Sequence, residues 1–95
     1  MTFRKRWCSR TVTSSDGYSV TFVGRSLIVY QEKKLRVYIS ADMLVGKPPG
    51  WAFSLNDMSI GSEEGEELND MKLCSLIGDR IKAVGAYLRL KIVIN

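Results

Sequence analysis

Residues 68–94, LNDMKLCSLIGDRIKAVGAYLRLKIVI, decide the fold class because the spacing of apolar residues changes within them. In the first part an apolar residue recurs every three or four positions, which is the period of an amphipathic helix. The residues with this spacing are Leu68, Met71, Cys74, Ile77, Ile81, Val84 and Leu88. From Leu88 to Ile94 apolar residues alternate with others, which predicts a final strand. We expect the helix to end at Gly85.

The chain before this segment shows the alternating pattern of β-strands. Thr11-Val12-Thr13 leads into Asp16-Gly17, a dipeptide typical of a tight hairpin turn. Three alternating segments follow, which are YSVTFV at 18–23, SLIVYQ at 26–31 and LRVYIS at 35–40. Strands joined by such short connections pair with their neighbours, so these residues predict an antiparallel meander.

The lengths of two loops set the register of this meander. A two-residue loop at 24–25 sets Phe22 opposite Leu27. A three-residue loop at 32–34 then sets Leu27 opposite Ile39, which keeps these apolar residues on one face of the sheet. We therefore expect loops of two and three residues, in that order.

The remaining segments complete an α+β fold. The sequence KPPG at 47–50 predicts a loop, WAFSL at 51–55 predicts a strand, and the polar residues 56–65 predict a second loop. The expected architecture is a mainly antiparallel sheet of about six strands, with one long helix packed on one face. We interpret 1–95 as a single domain in which 1–9 forms a loose basic segment.

The composition argues against catalysis. The chain of 95 residues contains no histidine, so it lacks the side chain that most often transfers protons near neutral pH. Its two cysteines, Cys8 and Cys74, are far apart in sequence and form no metal-binding pair. We expect Cys74 to lie in the core and Cys8 to be a partly exposed thiol. The sequence predicts a protein that is not an enzyme and that binds no cofactor and no metal.

The sequence also predicts a cytoplasmic location. The basic residues 1–10 are followed by the polar segment TVTSSDG rather than by the apolar stretch of a signal peptide. No apolar run reaches the ~18 residues that a membrane-spanning helix requires. We expect a protein without contact to a membrane.

Half of the acidic residues lie in GSEEGEELND, residues 61–70. They are Glu63, Glu64, Glu66, Glu67 and Asp70. The formal net charge is +4, with 14 cations and 10 anions, so the rest of the chain carries 14 − 5, or +9. A solvated helix start accounts for Glu66, Glu67 and Asp70, because the exposed N–H groups there stabilise carboxylates. Glu63 and Glu64 lack this explanation, and the cluster predicts a binding site for a basic partner.

A second candidate site lies at the N-terminus, where basic residues are interleaved with aromatic residues. The residues are Arg4, Lys5, Arg6, Trp7 and Arg10. Cations contact phosphates and aromatic rings stack on bases, so this pattern favours a nucleic-acid-binding module. A solubilising terminus without a partner is the competing interpretation. The sequence contains no motif of a known nucleic-acid-binding fold.

The order of segments resembles a known family. A hairpin is followed by LRVYISADMLVG at 35–46, an aromatic strand, a polar loop, the helix ELNDMKLCSLIGDRI at 67–81 and a last strand. This order is similar to that of the small immunity proteins of bacterial polymorphic and contact-dependent growth-inhibition toxin systems, namely the immunity protein 74 family. The resemblance implies a non-enzymatic cytoplasmic protein that binds and neutralises a cognate toxin domain. Such toxins are often nucleases with basic surfaces, which the acidic segment would fit.

A third interpretation is an accessory or structural protein that acts through oligomerisation. In that case an edge strand of the sheet would form the interface between copies, because unpaired backbone groups at an edge can accept another strand. The oligomeric state itself does not follow from the sequence.

Overall fold

The computed structural model describes residues 3–5, 11–60, 66–67 and 70–95. Within these ranges the chain forms eight strands and one helix, which confirms the α+β class. The strands are β1 (Phe3–Lys5), β2 (Thr11–Ser14), β3 (Tyr18–Val23), β4 (Leu27–Glu32), β5 (Leu35–Leu44), β6 (Gly50–Ile60), β7 (Glu66–Glu67) and β8 (Lys91–Ile94). The helix α1 spans Met71–Leu88.

All eight strands belong to one sheet. Strands β1 to β7 lie in sequence order, and each pairs antiparallel with the next. Strand β8 pairs in parallel with the first part of β6, whereas β7 pairs with Ser59 and Ile60 near its end. Strand β5 occupies one side of β6. Strands β7 and β8 both pair with the other side of β6, so they share the edge of the sheet that lies opposite β1. Residues 3–5, expected in a loose segment, form the other edge.

Helix α1 packs on one face of the sheet, and the core lies between the two layers. On the helix Cys74, Ile77, Ile81 and Val84 are fully buried, which confirms the core position of Cys74 and this part of the predicted helical face. Met71, predicted on the same face, is 55% exposed. The buried sheet residues are Val12, Tyr18, Val20, Phe22, Ile28, Tyr30, Val37, Ile39, Ala41, Trp51, Phe53 and Met58. Buried residues on β3, β4 and β5 are two positions apart and therefore share the face that meets the helix.

The register between β3 and β4 differs from the prediction by one residue. Val23 pairs with Leu27 and Phe22 with Ile28, so the loop holds the three residues 24–26 rather than two. As a result Ile28 is fully buried, whereas Leu27 is only partly buried. A shift of one residue exchanges the two faces of a strand, and the prediction for β4 was wrong in this respect.

The longer loop is held in place by strand β5. The N–H group of Ala41 donates to the carbonyl of Ser26 at 3.0 Å, and that of Met43 donates to the carbonyl of Arg25 at 3.2 Å. Arg25 and Ser26 of the loop are thus hydrogen-bonded to β5. These bonds favour the three-residue loop.

The loop between β4 and β5 is shorter than predicted. Glu32 pairs with Leu35, which leaves Lys33 and Lys34 as a two-residue loop. Lys33 has a φ of 54°, in the left-handed region that such hairpin turns use. The two errors in loop length cancel, so Ile39 lies on the core face as predicted.

Strand β6 continues well beyond the strand predicted at 51–55. Met58, placed by the prediction in a polar loop, is paired with β5 and almost fully buried. Residues 54–57 form a bulge, in which Oδ2 of Asp57 accepts a hydrogen bond from the N–H group of Ser54 at 3.3 Å. This turn-like bulge explains why the sequence here is typical of a loop.

Helix α1 begins and ends later than predicted. It starts at Met71 rather than at Leu68, and its C-cap is Arg89, which adopts a φ of 58°. Gly85 therefore lies within the helix and does not end it. Gly85 instead allows the helix to approach β8 closely, because a Cβ atom at this position would collide with Cγ1 of Ile92 in β8. Strand β8 is correspondingly shorter than the final strand predicted from the sequence.

Candidate functional site

The described part of the acidic segment lies at the edge of the sheet. Glu66 and Glu67 form β7, which pairs antiparallel with Ser59 and Ile60. Residues 61–65, which include Glu63 and Glu64, lie outside the described residues. The segment therefore connects the end of β6 to an edge strand and then to helix α1.

The predicted explanation of Glu66 and Glu67 as residues of a helix start is wrong. Helix α1 begins at Met71, and its first turn contains no acidic residue. The two glutamates precede it in β7, where the backbone is engaged by β6. Because the field of a helix terminus acts only within about one turn, α1 does not account for carboxylates at these positions.

Asp70, by contrast, has a clear structural role as the N-cap of helix α1. Its Oδ1 atom accepts hydrogen bonds from the backbone N–H groups of Lys72 at 3.1 Å and of Leu73 at 3.2 Å. Its backbone adopts extended dihedral angles, as expected for an N-cap. The prediction that a helix start explains this carboxylate is confirmed for Asp70.

The described part of the basic N-terminal site lies at the opposite edge. Arg4 and Lys5 belong to β1, and Arg4 is exposed, opposite Thr13 of β2. Phe3 packs against Tyr87 of the helix with ring centroids 5.4 Å apart, so this aromatic residue serves the fold. The other residues of the predicted site, Arg6, Trp7 and Arg10, lie outside the described residues.

The two candidate sites therefore occupy different edges of one sheet. The strand order places β1 at one edge and β7 at the other, with five strands between them. At a strand spacing of ~4.8 Å, the two edges are separated by roughly 29 Å along the sheet. The described acidic residues Glu66 and Glu67 and the described basic residues Arg4 and Lys5 thus lie at different edges of the sheet.

A third cluster, which the sequence did not indicate, links the helix to β3 and β4. The Oη atom of Tyr30 and Nη1 of Arg80 each donate a hydrogen bond to Oε1 of Glu32, at 3.0 and 2.9 Å. Nη1 of Arg80 also donates to Oη of Tyr30. The guanidinium carbon lies 4.6 Å from the ring centroid of Tyr18, which is a cation–π distance. The rings of Tyr18 and Tyr30 stack with centroids 5.6 Å apart.

Burial and hydrogen bonding shift the ionisation of this cluster. Burial raises the pKa of Tyr30 to about 12 from its ordinary value of 10.0. The hydrogen bond from Tyr30, followed by that from Arg80, lowers the pKa of Glu32. Only 20% of the Arg80 side chain and 27% of the Glu32 side chain are exposed. At neutral pH the cluster consists of a neutral tyrosine between a carboxylate and a guanidinium.

The geometry of this cluster favours a structural role. Arg80 is hydrogen-bonded to Tyr30 and Glu32, which lie 50 and 48 residues away in sequence. Tyr18 and Tyr30 are almost fully buried. The Arg80–Glu32 pair is the one salt bridge found among the described residues. The spacing of apolar residues in the sequence placed Tyr30 on a strand and Arg80 on a helix. This spacing does not reveal that the two side chains are in contact.

Three further observations concern the chemistry of the described residues. A shallow polar pocket of about 270 Å³ lies on the sheet face away from the helix, between the bulge of β6 and residues Asp42 and Asn95. No group of three or more metal-ligating His, Cys, Asp or Glu residues occurs in the described ranges. Burial raises the pKa of the Cys74 thiol, which disfavours the reactive thiolate. Cys8 lies outside these ranges.

Comparisons with protein-family models, with curated proteins and with solved structures each return no match. The resemblance to immunity proteins therefore stays a prediction from the sequence. Within the described residues, no helix is both long enough and apolar enough to cross a membrane.

Proposed function

We propose that this protein is a non-enzymatic cytoplasmic immunity protein, which neutralises a toxin domain by stoichiometric contact with its acidic edge. The binding residues in this proposal are Glu63, Glu64, Glu66, Glu67 and Asp70. The observation that carries it is the segregation of charge. Half of the carboxylates lie in ten residues of a chain that is otherwise strongly basic, and β7 fixes two of them at a sheet edge.

Charge segregation favours a basic partner that approaches from one direction. The overall charge of +4 repels a basic protein from most sides, whereas the acidic edge attracts it. Such a field increases the association rate and orients the encounter before contact is made. Helix capping explains Asp70 but not the glutamates of β7, which strengthens their assignment to a partner.

Contact rather than catalysis is favoured by the chemistry of the remaining residues. The chain has no histidine, and the side chains of the buried Tyr30 and the partly buried Glu32 and Arg80 are hydrogen-bonded to each other. The identity of the partner as a toxin, with nuclease activity as the expected class, rests on the sequence resemblance alone. This part of the proposal therefore needs a direct test.

The test is co-expression with the toxin domain encoded by the neighbouring reading frame, with bacterial growth as the readout. The wild-type protein should restore growth, whereas a Glu63→Lys, Glu64→Lys, Glu67→Lys variant should not. The matched control carries the exposed substitutions Asp16→Lys, Asp42→Lys and Asp79→Lys, which change the net charge equally. Protection by the acidic-segment variant, or equal loss in both variants, contradicts a specific role of this edge.

The nucleic-acid alternative is separated from this proposal by a titration with a single-stranded oligonucleotide. Binding through Arg4 and its basic neighbours should weaken steeply as salt rises, because counterions are released on binding. The immunity proposal predicts no such binding at physiological salt. Salt-sensitive binding that is lost on Arg4→Glu substitution would support the alternative and contradict the proposal.

A further inference from the structure

Strand β8 leaves one side of its backbone without a partner among the described strands. The N–H groups of Lys91 and Asn95 donate to the carbonyls of Pro49 and Phe53 on the β6 side, both at 2.9 Å. Successive residues of a strand direct these groups to opposite sides, so 92 and 94 direct theirs away from β6. β8 is paired with β6 alone in the described sheet. Within the described ranges, the outer side of β8 is therefore an unpaired edge.

The side chains of this edge are apolar and only partly covered. Ile92, Val93 and Ile94 are each half-buried. Ile92 lies against Gly85 of the helix and Ile94 lies near Gly78, so both belong to the helix face of the sheet. Val93 belongs to the opposite face. Edge strands are commonly protected by charged residues or proline, and residues 92–94 contain neither.

Charge changes sign along this edge. Positions along the edge can be compared through strand β5, which pairs with β6. Lys91 of β8 lies at the height of Leu44, and Glu67 of β7 lies at the height of Tyr38, which is six residues from Leu44 in β5. At ~3.3 Å per residue, the two positions are roughly 20 Å apart. The end near Lys91 is basic, since Arg89 precedes it in sequence, and the end near β7 is acidic.

We propose that β8 pairs antiparallel with β8 of a second copy of this chain, across a two-fold axis at Val93. In this register Ile92 of each copy faces Ile94 of the other, and these are the residues whose backbone groups point outwards. They form two hydrogen-bonded pairs, with Val93 facing Val93 in the non-bonded position between them. The two sheets join into one continuous sheet, and both helices lie on the same face.

The symmetry of this dimer matches opposite charges. A two-fold axis at Val93 places the acidic β7 end of one copy beside the Arg89–Lys91 end of the other. It also places the helices side by side in opposite directions. An isologous interface requires this kind of self-complementarity.

The dimer and the proposed partner share one edge of the sheet. In the dimer the acidic β7 lies beside basic residues of the second copy, so a partner bound there competes with dimer formation. The inference about β8 does not rest on the proposed function, because it is tested on the pure protein. A Val93→Lys monomer keeps all five acidic residues and remains available for the partner test.

The experiment is analytical ultracentrifugation of the pure protein over a micromolar concentration range. The wild type should sediment as a dimer with twice the chain mass of 10.7 kDa. Val93→Lys and Val93→Asp each place like charges at the axis, which should weaken dimerisation roughly tenfold or more. An equal mixture of the two variants should restore the dimer, because lysine then faces aspartate.

The control is Val23→Lys, which changes an exposed valine on the interior strand β3 and should leave the dimer intact. A circular dichroism spectrum like that of the wild type shows that each variant is folded. A wild type that stays monomeric throughout the range overturns the proposal. A dimer unaffected by Val93→Lys, or a mixture of variants that fails to associate, also overturns it.

Discussion

The two flanks of helix α1 are attached to the sheet in different ways. Over β3 and β4 the helix is held by directional polar contacts, in which Arg80 meets Glu32, Tyr30 and Tyr18. Over β6 and β8 it is held by close packing, in which Gly85 admits Ile92. On the first flank the polar groups satisfy each other. On the second flank, β8 is paired only with β6 among the described strands and shares its edge of the sheet with β7.

The largest expected effect concerns the polar flank at high pH. The pKa of Tyr30 is about 12 in the folded protein, against an ordinary value of 10.0. The unfolded chain therefore loses the Tyr30 proton at a lower pH than the folded protein does. The contribution of Tyr30 to stability is complete below pH 10 and is lost as the pH rises to about 12. The loss should be about 3 kcal/mol, because each unit of pKa difference between the folded and unfolded protein corresponds to roughly 1.4 kcal/mol.

Urea denaturation across this pH range measures the effect. The Tyr30→Phe variant should lack this alkaline loss of stability, whereas Tyr38→Phe, on the opposite face of the sheet, should retain it. An identical pH dependence in wild type and Tyr30→Phe would show that the buried hydroxyl does not titrate as the geometry requires. Glu32 has a lowered pKa and acts in the opposite sense, since its contribution is lost as the pH falls through its folded pKa.

The packed flank is tested by adding one methyl group at either of two helix glycines. Gly85→Ala drives a Cβ atom into Ile92 and should cost about 2 kcal/mol of unfolding free energy. Gly78→Ala meets only the side-chain ends of Leu55 and Ile94, at 3.0 and 3.1 Å. Since alanine also favours the helix by ~1 kcal/mol, Gly78→Ala should be nearly neutral. Equal effects at both positions, measured by chemical denaturation, would show that the close approach is not specific to Gly85.

An effect smaller than those of Tyr30 and Gly85 is expected at the N-cap, where the helix meets the acidic segment. Asp70→Ala removes the acceptor for the N–H groups of Lys72 and Leu73 and should destabilise the protein by about 1 kcal/mol. Asp70→Asn keeps an acceptor and should cost less. If Asp70→Asn weakens partner binding while stability is kept, its charge contributes to binding in addition to capping.

Parts of the fold that depend on local patterns could be predicted from the sequence. The strands at 18–23 and 35–40 and the buried helix face follow from periodicity, which local sequence determines. The lengths of the loops at 24–26 and 33–34 do not, because they depend on pairing with β5 and on the left-handed Lys33. The prediction of β5 still succeeded because the two errors cancelled.

The candidate sites show the same division between local and long-range information. The sequence placed Asp70 near the start of a helix, which the structure confirms, but it put that start at Leu68 and so did not identify Asp70 as the N-cap. The pairing of Glu66–Glu67 with β6 and the contact of Arg80 with Tyr30 join segments that the sequence keeps apart. Such contacts depend on the register of the whole sheet, which periodicity alone leaves undetermined.

Hydrogen exchange on the Val93→Lys monomer, with and without the toxin domain, tests the central claim most directly. The acidic edge is predicted to bind, so amides of residues 61–70 should become protected in the complex. Amides of residues 30–34, beside the Arg80 cluster, and of residues 3–5, at the basic edge, should exchange as in the free protein. Protection of either of these regions, with no change at 61–70, would contradict the assignment of the acidic edge as the binding surface.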